Sequence, residues 1–137
     1  MTPTPDAMDN ELPAGKYWIG DPCYVLGRGK HEDWIDVLNK TNYFDGDVYT
    51  IRGSKLWGHG TAYGDGTYTD KEGREYGVDA GILSVIPWKL VEDKKKADTL
   101  GHVVTFDAPF ECRYDSGILH MGHISIDTEG SSDEEQY

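Results

Sequence analysis

The sequence contains no run of about 18 apolar residues, so we expect no helix that spans a membrane. Its first residues, Met1 to Glu11, lack the basic and apolar regions of a signal peptide, and no export signal is expected. Cysteine is also scarce. Cys23 and Cys112 lie far apart without CxxC spacing, so we expect two reduced thiols. Together these absences predict a cytoplasmic protein.

Basic residues are few, with 13 Lys and Arg against 25 Asp and Glu, which gives a formal net charge of -12. Direct binding to nucleic acid or to an anionic membrane needs basic side chains that neutralise phosphates, so we expect neither. The acidic charge fits plain solubility. It also fits an alternative in which the acidic surface meets the basic surface of a partner protein.

Alanine and leucine are sparse as well, whereas 17 Gly, 9 Tyr and 4 Trp are typical of short strands joined by turns. The residue patterns predict roughly eight strands and one short helix, mostly in antiparallel, sequence-adjacent pairs. The fold class expected is a β-rich α+β domain, either a bent antiparallel sheet wrapped on the helix or a small barrel. We predict one globular domain over residues 15–127, flanked by a disordered segment 1–14 and an acidic, disordered tail 128–137.

Four segments carry more detailed predictions. The apolar stripe in residues 31–40, with acidic residues first and a lysine last, predicts the helix. Residues 16–26 predict a strand that either lies at an edge or breaks around Pro22, because proline donates no hydrogen bond to a ladder. Residues 81–87 predict a central strand, and residues 118–126 predict one continuous strand.

Two aspartates, Asp21 and Asp79, lie inside apolar, strand-like runs where composition predicts no charge. Each carboxylate either fixes backbone at a strand end, forms the rim of a binding pocket, or acts as a catalytic acid or base. Cys23 is a candidate nucleophile only if a histidine lies nearby to take its proton. We favour the alternative that Cys23 is a small core residue and that Asp21 caps the turn.

A binding site is expected where these aspartates meet the aromatic and glycine-rich segment 57–65. Its rings could stack on a base or a sugar, or they could form cross-strand aromatic pairs instead. The two regions converge if the strand at 17–26 pairs with the strand at 81–87. No residue is predicted to be catalytic, and the predicted ligand-binding residues are Asp21, Tyr24, Trp57, Tyr63, Asp65 and Asp79.

No metal or other cofactor is expected. The five histidines show no convincing ligand spacing. The segment 65–73 carries several side-chain oxygens but misses the calcium-loop pattern, and its glycine is misplaced. A solvated hairpin, with glycine where a positive φ is needed, is the favoured interpretation.

Three blocks of the chain resemble segments of small uncharacterised proteins of tailed phages and their bacterial hosts. The blocks read YWIGDPCYVL (17–26), TAYGDGTY (61–68) and YGVDAGI (76–82), in the same order and over less than a third of the chain. The resemblance implies context alone: a small, phage-encoded accessory protein that acts in the cytoplasm of a bacterial host cell. It implies no activity and no catalytic residues.

The function expected from these observations is that of a non-enzymatic binding protein that counters host defence. Its partner is either a host protein or a small, nucleotide-type signalling ligand, and self-association into a homo-oligomer stays open. Two alternatives remain. One is a small hydrolase that uses Cys23 or an Asp21–Asp79 pair, and the other is a minor structural protein of the virion.

Overall fold

The computed structural model of the protein describes residues 10–128. The disorder predicted for residues 1–9 and for the tail 129–137 lies outside these described residues. Residues 10–14 and Thr128 were assigned to the disordered ends by the sequence, yet Leu12 and Thr128 are fully buried. The folded part therefore extends beyond residues 15–127 at both ends, because both side chains are packed inside the protein.

Eleven strands lie within the described residues, and all of their pairings are antiparallel. They form a five-stranded sheet in the order β3-β4-β7-β2-β8, a four-stranded sheet in the order β1-β9-β10-β11, and the hairpin β5-β6. In chain order the strands are β1 (Glu11–Leu12), β2 (Gly15–Gly20), β3 (Asp45–Ile51), β4 (Ser54–Gly60), β5 (Gly66–Thr69), β6 (Glu75–Val78), β7 (Ile82–Pro87), β8 (His102–Phe106), β9 (Phe110–Asp115), β10 (Ile118–Met121) and β11 (Ile124–Asp127).

Two α-helices and two short 3-10 helices occur in the same part of the chain: α1 (Trp34–Lys40), α2 (Lys94–Leu100), and the 3-10 helices Pro22–Tyr24 and Trp88–Leu90. Each α-helix follows an aspartate that caps it. The Asp33 side chain accepts a hydrogen bond from the N–H of Asp36 at 3.0 Å, and the Asp93 side chain accepts one from the N–H of Lys96 at 3.1 Å. Such caps satisfy N–H groups that have no partner within the helix.

The five-stranded sheet separates two hydrophobic layers, because successive side chains of a strand point to opposite faces. In β2, Tyr17 and Ile19 lie in one layer and Trp18 lies in the other. The four-stranded sheet and the β5-β6 hairpin contribute side chains to the first layer, and α1, α2 and the 3-10 helix Trp88–Leu90 contribute to the second. The indole N–H of Trp18 donates to the Ala97 carbonyl at 2.8 Å, which ties α2 to the sheet.

The coarse fold class agrees with the expectation, since the protein is β-rich and α+β with antiparallel sheets. Two details differ within the described residues, which contain eleven strands rather than about eight and two α-helices rather than one. Of the two architectures expected, the barrel is not formed, since none of the described sheets closes. The single strand predicted over 118–126 is the hairpin β10-β11, because the chain turns at Gly122, whose φ is +62°.

The interruption predicted at Pro22 is a break rather than an edge. β2 ends at Gly20, and the 3-10 helix Pro22–Tyr24 follows it directly after Asp21. β2 lies between β7 and β8 in the sheet, so it is not an edge strand. The strand pairing on which convergence of the two predicted site regions depends is present, with Ile19 opposite Val85 in the register of β2 and β7. The predicted central position of β7 is confirmed as well, because it lies between β4 and β2.

Candidate ligand pocket

Asp21 follows the end of β2 and is fully buried. Its Oδ1 accepts a hydrogen bond from the backbone N–H of Cys23 at 2.9 Å. Its Oδ2 accepts two more, from the N–H groups of Asp79 and Ala80, at 2.8 and 2.7 Å. Both oxygens of this carboxylate therefore bind backbone, and the side chain joins the end of β2 to the turn between β6 and β7. Fixing backbone at a strand end is one of the three roles that the sequence allowed.

The two catalytic arrangements considered from the sequence gain no support from this geometry. Burial and the neighbouring Asp21 carboxylate raise the pKa of the Cys23 thiol to about 12, so the thiol is protonated near neutral pH. A nucleophilic thiol needs the opposite shift of its pKa. Asp79 contacts Asp21 through its backbone N–H and is itself an exposed residue.

Trp57 belongs to the core. It is fully buried in β4, and its indole N–H donates to the Gly46 carbonyl at 2.8 Å. Its ring therefore has no exposed face on which a base or sugar can stack. The aromatic cross-strand alternative is not realised either, since Val48 of β3 and Val85 of β7 lie opposite Trp57.

The remaining predicted ligand-binding residues lie nearer the surface. Tyr63 is 57% exposed, and Asp65 is exposed in the same loop before β5. Tyr24 is half-buried, and the Lys96 ammonium group lies 5.9 Å from the centre of its ring. Of the six predicted residues, the hydrogen bonds bring Asp21 and Asp79 together.

A pocket of about 560 Å³ lies where the segment leading into β2, the β3-β4 turn and the end of β7 meet. Three segments line it, namely residues 13–17, residues 53–55 and residues 87–89. None of the six predicted ligand-binding residues is among them. Apolar groups of the wall come from Pro13, Ala14, Pro87 and Trp88.

Three lysines line the same pocket: Lys16, Lys55 and Lys89. The ammonium groups of Lys16 and Lys94 lie 5.2 and 5.1 Å from the centre of the Trp88 ring, which is cation–π geometry. No acidic residue occurs among the described residues that line this pocket. The pocket is therefore locally basic, although the chain as a whole has a net charge of -12.

Ser54 lines the pocket and is 7% exposed. Its Oγ is buried and has no hydrogen-bond partner among the described residues. Buried hydroxyl groups are almost always hydrogen-bonded, so this unpaired oxygen is an unusual feature of the pocket wall.

Tyr17 fixes the wall formed by the chain before β2. Its hydroxyl group donates a hydrogen bond to the Pro13 carbonyl at 2.7 Å. Burial, with a smaller contribution from Cys112, raises the pKa of this hydroxyl to about 12, so it remains a donor at neutral pH. The ring also packs edge-on against Phe106 and Phe110, which anchors it in the core.

The sequence interpretation missed this pocket because its wall comes from three segments that are far apart in the chain. A local signal was nevertheless present. Trp88 follows the central strand β7 and precedes Lys89, in a segment whose pattern fits either a strand or a helical turn. Only the pairing of β7 with β2 brings Lys16 to the same tryptophan.

Two further searches concern sites of other kinds. Within residues 10–128, no group of three His, Cys, Asp or Glu side chains is arranged to hold a metal ion. No helix in that range is long and apolar enough to cross a membrane. The segment 65–73 forms the predicted hairpin, with β5 and β6 paired on either side of its turn.

Comparison with known proteins provides no relative, since no family model, no curated protein and no solved structure matches the chain. The class of this protein is therefore described from its fold and its pocket alone. The class is an antiparallel, β-rich α+β protein with a basic, tryptophan-lined pocket beside its central sheet.

Proposed function

We propose that the protein is a non-enzymatic binding protein whose pocket takes a small anionic ligand that carries a flat ring. The observation that carries the proposal is the presence of three lysines and an indole ring in one pocket of a strongly acidic chain. Ammonium groups attract phosphate, and an aromatic face stacks on a base.

Binding rather than catalysis is supported by the lining of the pocket. Among the described residues that form it there is no carboxylate, thiol or imidazole to transfer a proton or to attack a substrate. The side chains that line the pocket provide positive charge and apolar surface, which are the properties that binding of a ligand requires.

The resemblance to tailed-phage proteins supplies the biological context of this proposal. In that context the ligand is a nucleotide-type signal made by the bacterial host, and the protein counters host defence by sequestering it in the cytoplasm. A basic host protein is the alternative partner, because a net charge of -12 favours association with a basic surface.

Isothermal titration calorimetry with the common nucleoside 5′-monophosphates tests the proposal. At least one is expected to bind the wild-type protein, and its parent nucleoside, which lacks the phosphate, to bind about tenfold more weakly. Replacing two pocket lysines, Lys55→Gln with Lys89→Gln, is expected to lower the affinity for the monophosphate by about tenfold, because each exposed ion pair contributes up to about 1 kcal/mol.

Lys71→Gln is the control, since Lys71 lies in the β5-β6 turn outside the pocket and its replacement removes one positive charge where the double variant removes two. It is expected to leave the affinity unchanged. If no monophosphate binds, or if the double variant binds as tightly as the Lys71→Gln control, the proposed function is wrong.

A further inference from the structure

A second pocket, of about 360 Å³, lies beside the first and shares Lys89 with it. The same two turns build both pockets. The β3-β4 turn gives Arg52 to the second pocket and residues 53–55 to the first. The 3-10 helix gives Trp88 to the first, Leu90 to the second and Lys89 to both. The two pockets are therefore neighbouring compartments around one 3-10 helix.

Cationic side chains are concentrated at these two pockets. Of the 13 Lys and Arg residues in the sequence, six line them: Lys16, Lys30, Arg52, Lys55, Lys89 and Lys94. His31 also lines the second pocket, and Glu92 is its one acidic residue among those described. The second pocket has no Trp, Tyr or Phe in its described lining. The first compartment thus suits a ring, and the second suits anionic groups.

Arg52 is bound within the protein. Its Nη1 lies 2.6 Å from Glu32 Oε2 and 3.6 Å from Glu92 Oε2. Its Nη2 donates to the Leu90 carbonyl at 3.1 Å. The side chains of Glu32 and Glu92 are 5% and 4% exposed, so these buried carboxylates offset the arginine charge. Two lysines of the second pocket, Lys30 and Lys89, form no hydrogen bond or ion pair among the described residues and remain for a ligand. The third, Lys94, donates one of its three N–H groups to the Val91 carbonyl at 3.0 Å, which leaves two for a ligand.

We propose that the ligand carries at least two linked phosphates beside its ring, as a nucleoside di- or triphosphate does; this inference rests on the function proposed above. The ring lies against Trp88 in the first pocket. The phosphate chain passes Lys89 and enters the second pocket, where Lys30 and Lys94 bind the terminal phosphates. A monophosphate occupies the first compartment alone, so the added phosphates gain the contact with Lys30 in the second pocket, which the shorter ligand does not reach.

The test compares a series that differs in phosphate number alone. The nucleoside monophosphate that binds most tightly is titrated by calorimetry together with its di- and triphosphate and with inorganic tripolyphosphate. The affinity is expected to rise about fivefold with each added phosphate, the upper end of what an exposed ion pair contributes. Tripolyphosphate is expected to bind more weakly than the triphosphate because it has no ring to place against Trp88.

Three single substitutions locate the phosphates. Lys30→Gln, in the second pocket only, is expected to lower the affinity for the triphosphate about fivefold and to leave the monophosphate unchanged. Lys55→Gln, in the first pocket only, is expected to lower the affinity for all three nucleotides by the same factor. Lys71→Gln, outside both pockets, is expected to change none of them.

The outcomes separate this inference from the proposed function. Equal affinities for mono- and triphosphate, with no effect of Lys30→Gln, overturn the two-compartment ligand and leave the binding function standing. Tripolyphosphate that binds as tightly as the triphosphate overturns the placement of the ring. A single-stranded RNA oligonucleotide that binds more tightly than any mononucleotide overturns the inference in favour of a nucleic-acid partner. Failure of every nucleotide to bind contradicts both proposals.

Discussion

Asp21 places a fully buried carboxylate among backbone N–H groups from two separate segments of the chain. A buried charge is unfavourable unless hydrogen bonds compensate its lost hydration. Here three N–H donors within 2.9 Å do so, two of them on one oxygen. The same contacts end β2 and orient the β6-β7 turn, so Asp21 fixes the end of β2 relative to the start of β7.

Asp21→Asn is expected to lower the free energy of unfolding by about 2–4 kcal/mol, because the amide nitrogen leaves buried N–H donors without an acceptor. Asp79→Asn is the matched control. Asp79 contributes its backbone N–H to this contact, which asparagine retains, so its effect is expected to stay within about 0.5 kcal/mol. Urea denaturation of both variants checks the prediction, and equal losses of stability would show that the buried hydrogen bonds of Asp21 are unimportant.

Asp70 plays a comparable part in the β5-β6 hairpin. It is 7% exposed, and its Oδ1 accepts hydrogen bonds from the N–H groups of Glu72 and Arg74 at 2.9 and 3.0 Å. Its Oδ2 accepts from the Arg74 guanidinium and from the Tyr76 hydroxyl. Burial alone would raise the pKa of Asp70, but these hydrogen bonds and the arginine charge together hold it below its ordinary value of 3.8.

A lowered pKa in the folded state makes the contribution of Asp70 dependent on pH. The stabilisation is present above the unfolded-state pKa and is lost as the pH falls through the lower, folded-state pKa. Asp70→Asn is therefore expected to reduce stability by about 1–3 kcal/mol at pH 7, with the difference from wild type shrinking below about pH 4. Urea denaturation at pH 7, 5 and 3 measures it. Asp107→Asn, at an exposed position between β8 and β9, is the control. A difference that stays constant from pH 7 to pH 3 would contradict the assignment.

Among the secondary-structure elements, the β10-β11 hairpin depends on one glycine. Gly122 has a φ of +62°, and a Cβ at this position would lie 2.7 Å from the Phe106 ring. Gly73, in the β5-β6 turn, has a φ of +88° but no atom within 4 Å of the same position. Both glycines adopt a positive φ, but a Cβ would meet a neighbouring atom only at Gly122.

Alanine substitutions at the two glycines separate these effects. Gly73→Ala is expected to destabilise the protein by about 1–2 kcal/mol through the left-handed backbone alone. Gly122→Ala is expected to destabilise it by about 1–3 kcal/mol more, since the Phe106 contact adds overpacking. Thermal unfolding followed by circular dichroism compares them. Equal effects of the two substitutions would mean that Phe106 moves aside without loss.

The sequence did not predict the left-handed turn that follows α1. Asn42, Tyr43 and Phe44 have φ values of 50°, 60° and 55°, a left-handed turn built without glycine. Such a conformation is unfavourable by about 1–2 kcal/mol per residue. It persists because Phe44, 1% exposed, is buried in the core with its ring stacked at 6.3 Å from that of Trp34. Burial of Phe44 in the core therefore outweighs the unfavourable backbone conformation of this turn, and no local sequence pattern indicates the turn.

For the molecule as a whole, the important property is how its charge is distributed. Composition gives a strongly acidic chain, which fits plain solubility or an acidic surface that meets a basic partner. The fold instead collects six of the 13 basic side chains around the two neighbouring pockets. In the proposed function, this locally basic site takes a small anion, and the acidic net charge disfavours the long polyanion of nucleic acid.

Several features of this protein were predictable because neighbouring residues in the sequence determine them. Alternation and turn residues indicated a β-rich fold, helix α1, and either a break or an edge strand at Pro22. Asp21 was also recognisable as unusual, because a charged side chain inside an apolar strand needs hydrogen-bonding partners. Its actual partners could not be named, because Asp79 and Ala80 are distant in sequence.

The sequence by itself thus determined the β-rich fold class, the acidic net charge and the anomalous position of Asp21 in an apolar strand. Only the tertiary structure decided that Trp57 is buried in the core and that Trp88 lines a pocket. It also decided that Lys16, Lys55 and Lys89 meet, since they come from different turns and strands. The physical reason is that secondary structure follows from patterns a few residues long, whereas a pocket follows from which distant segments pack together.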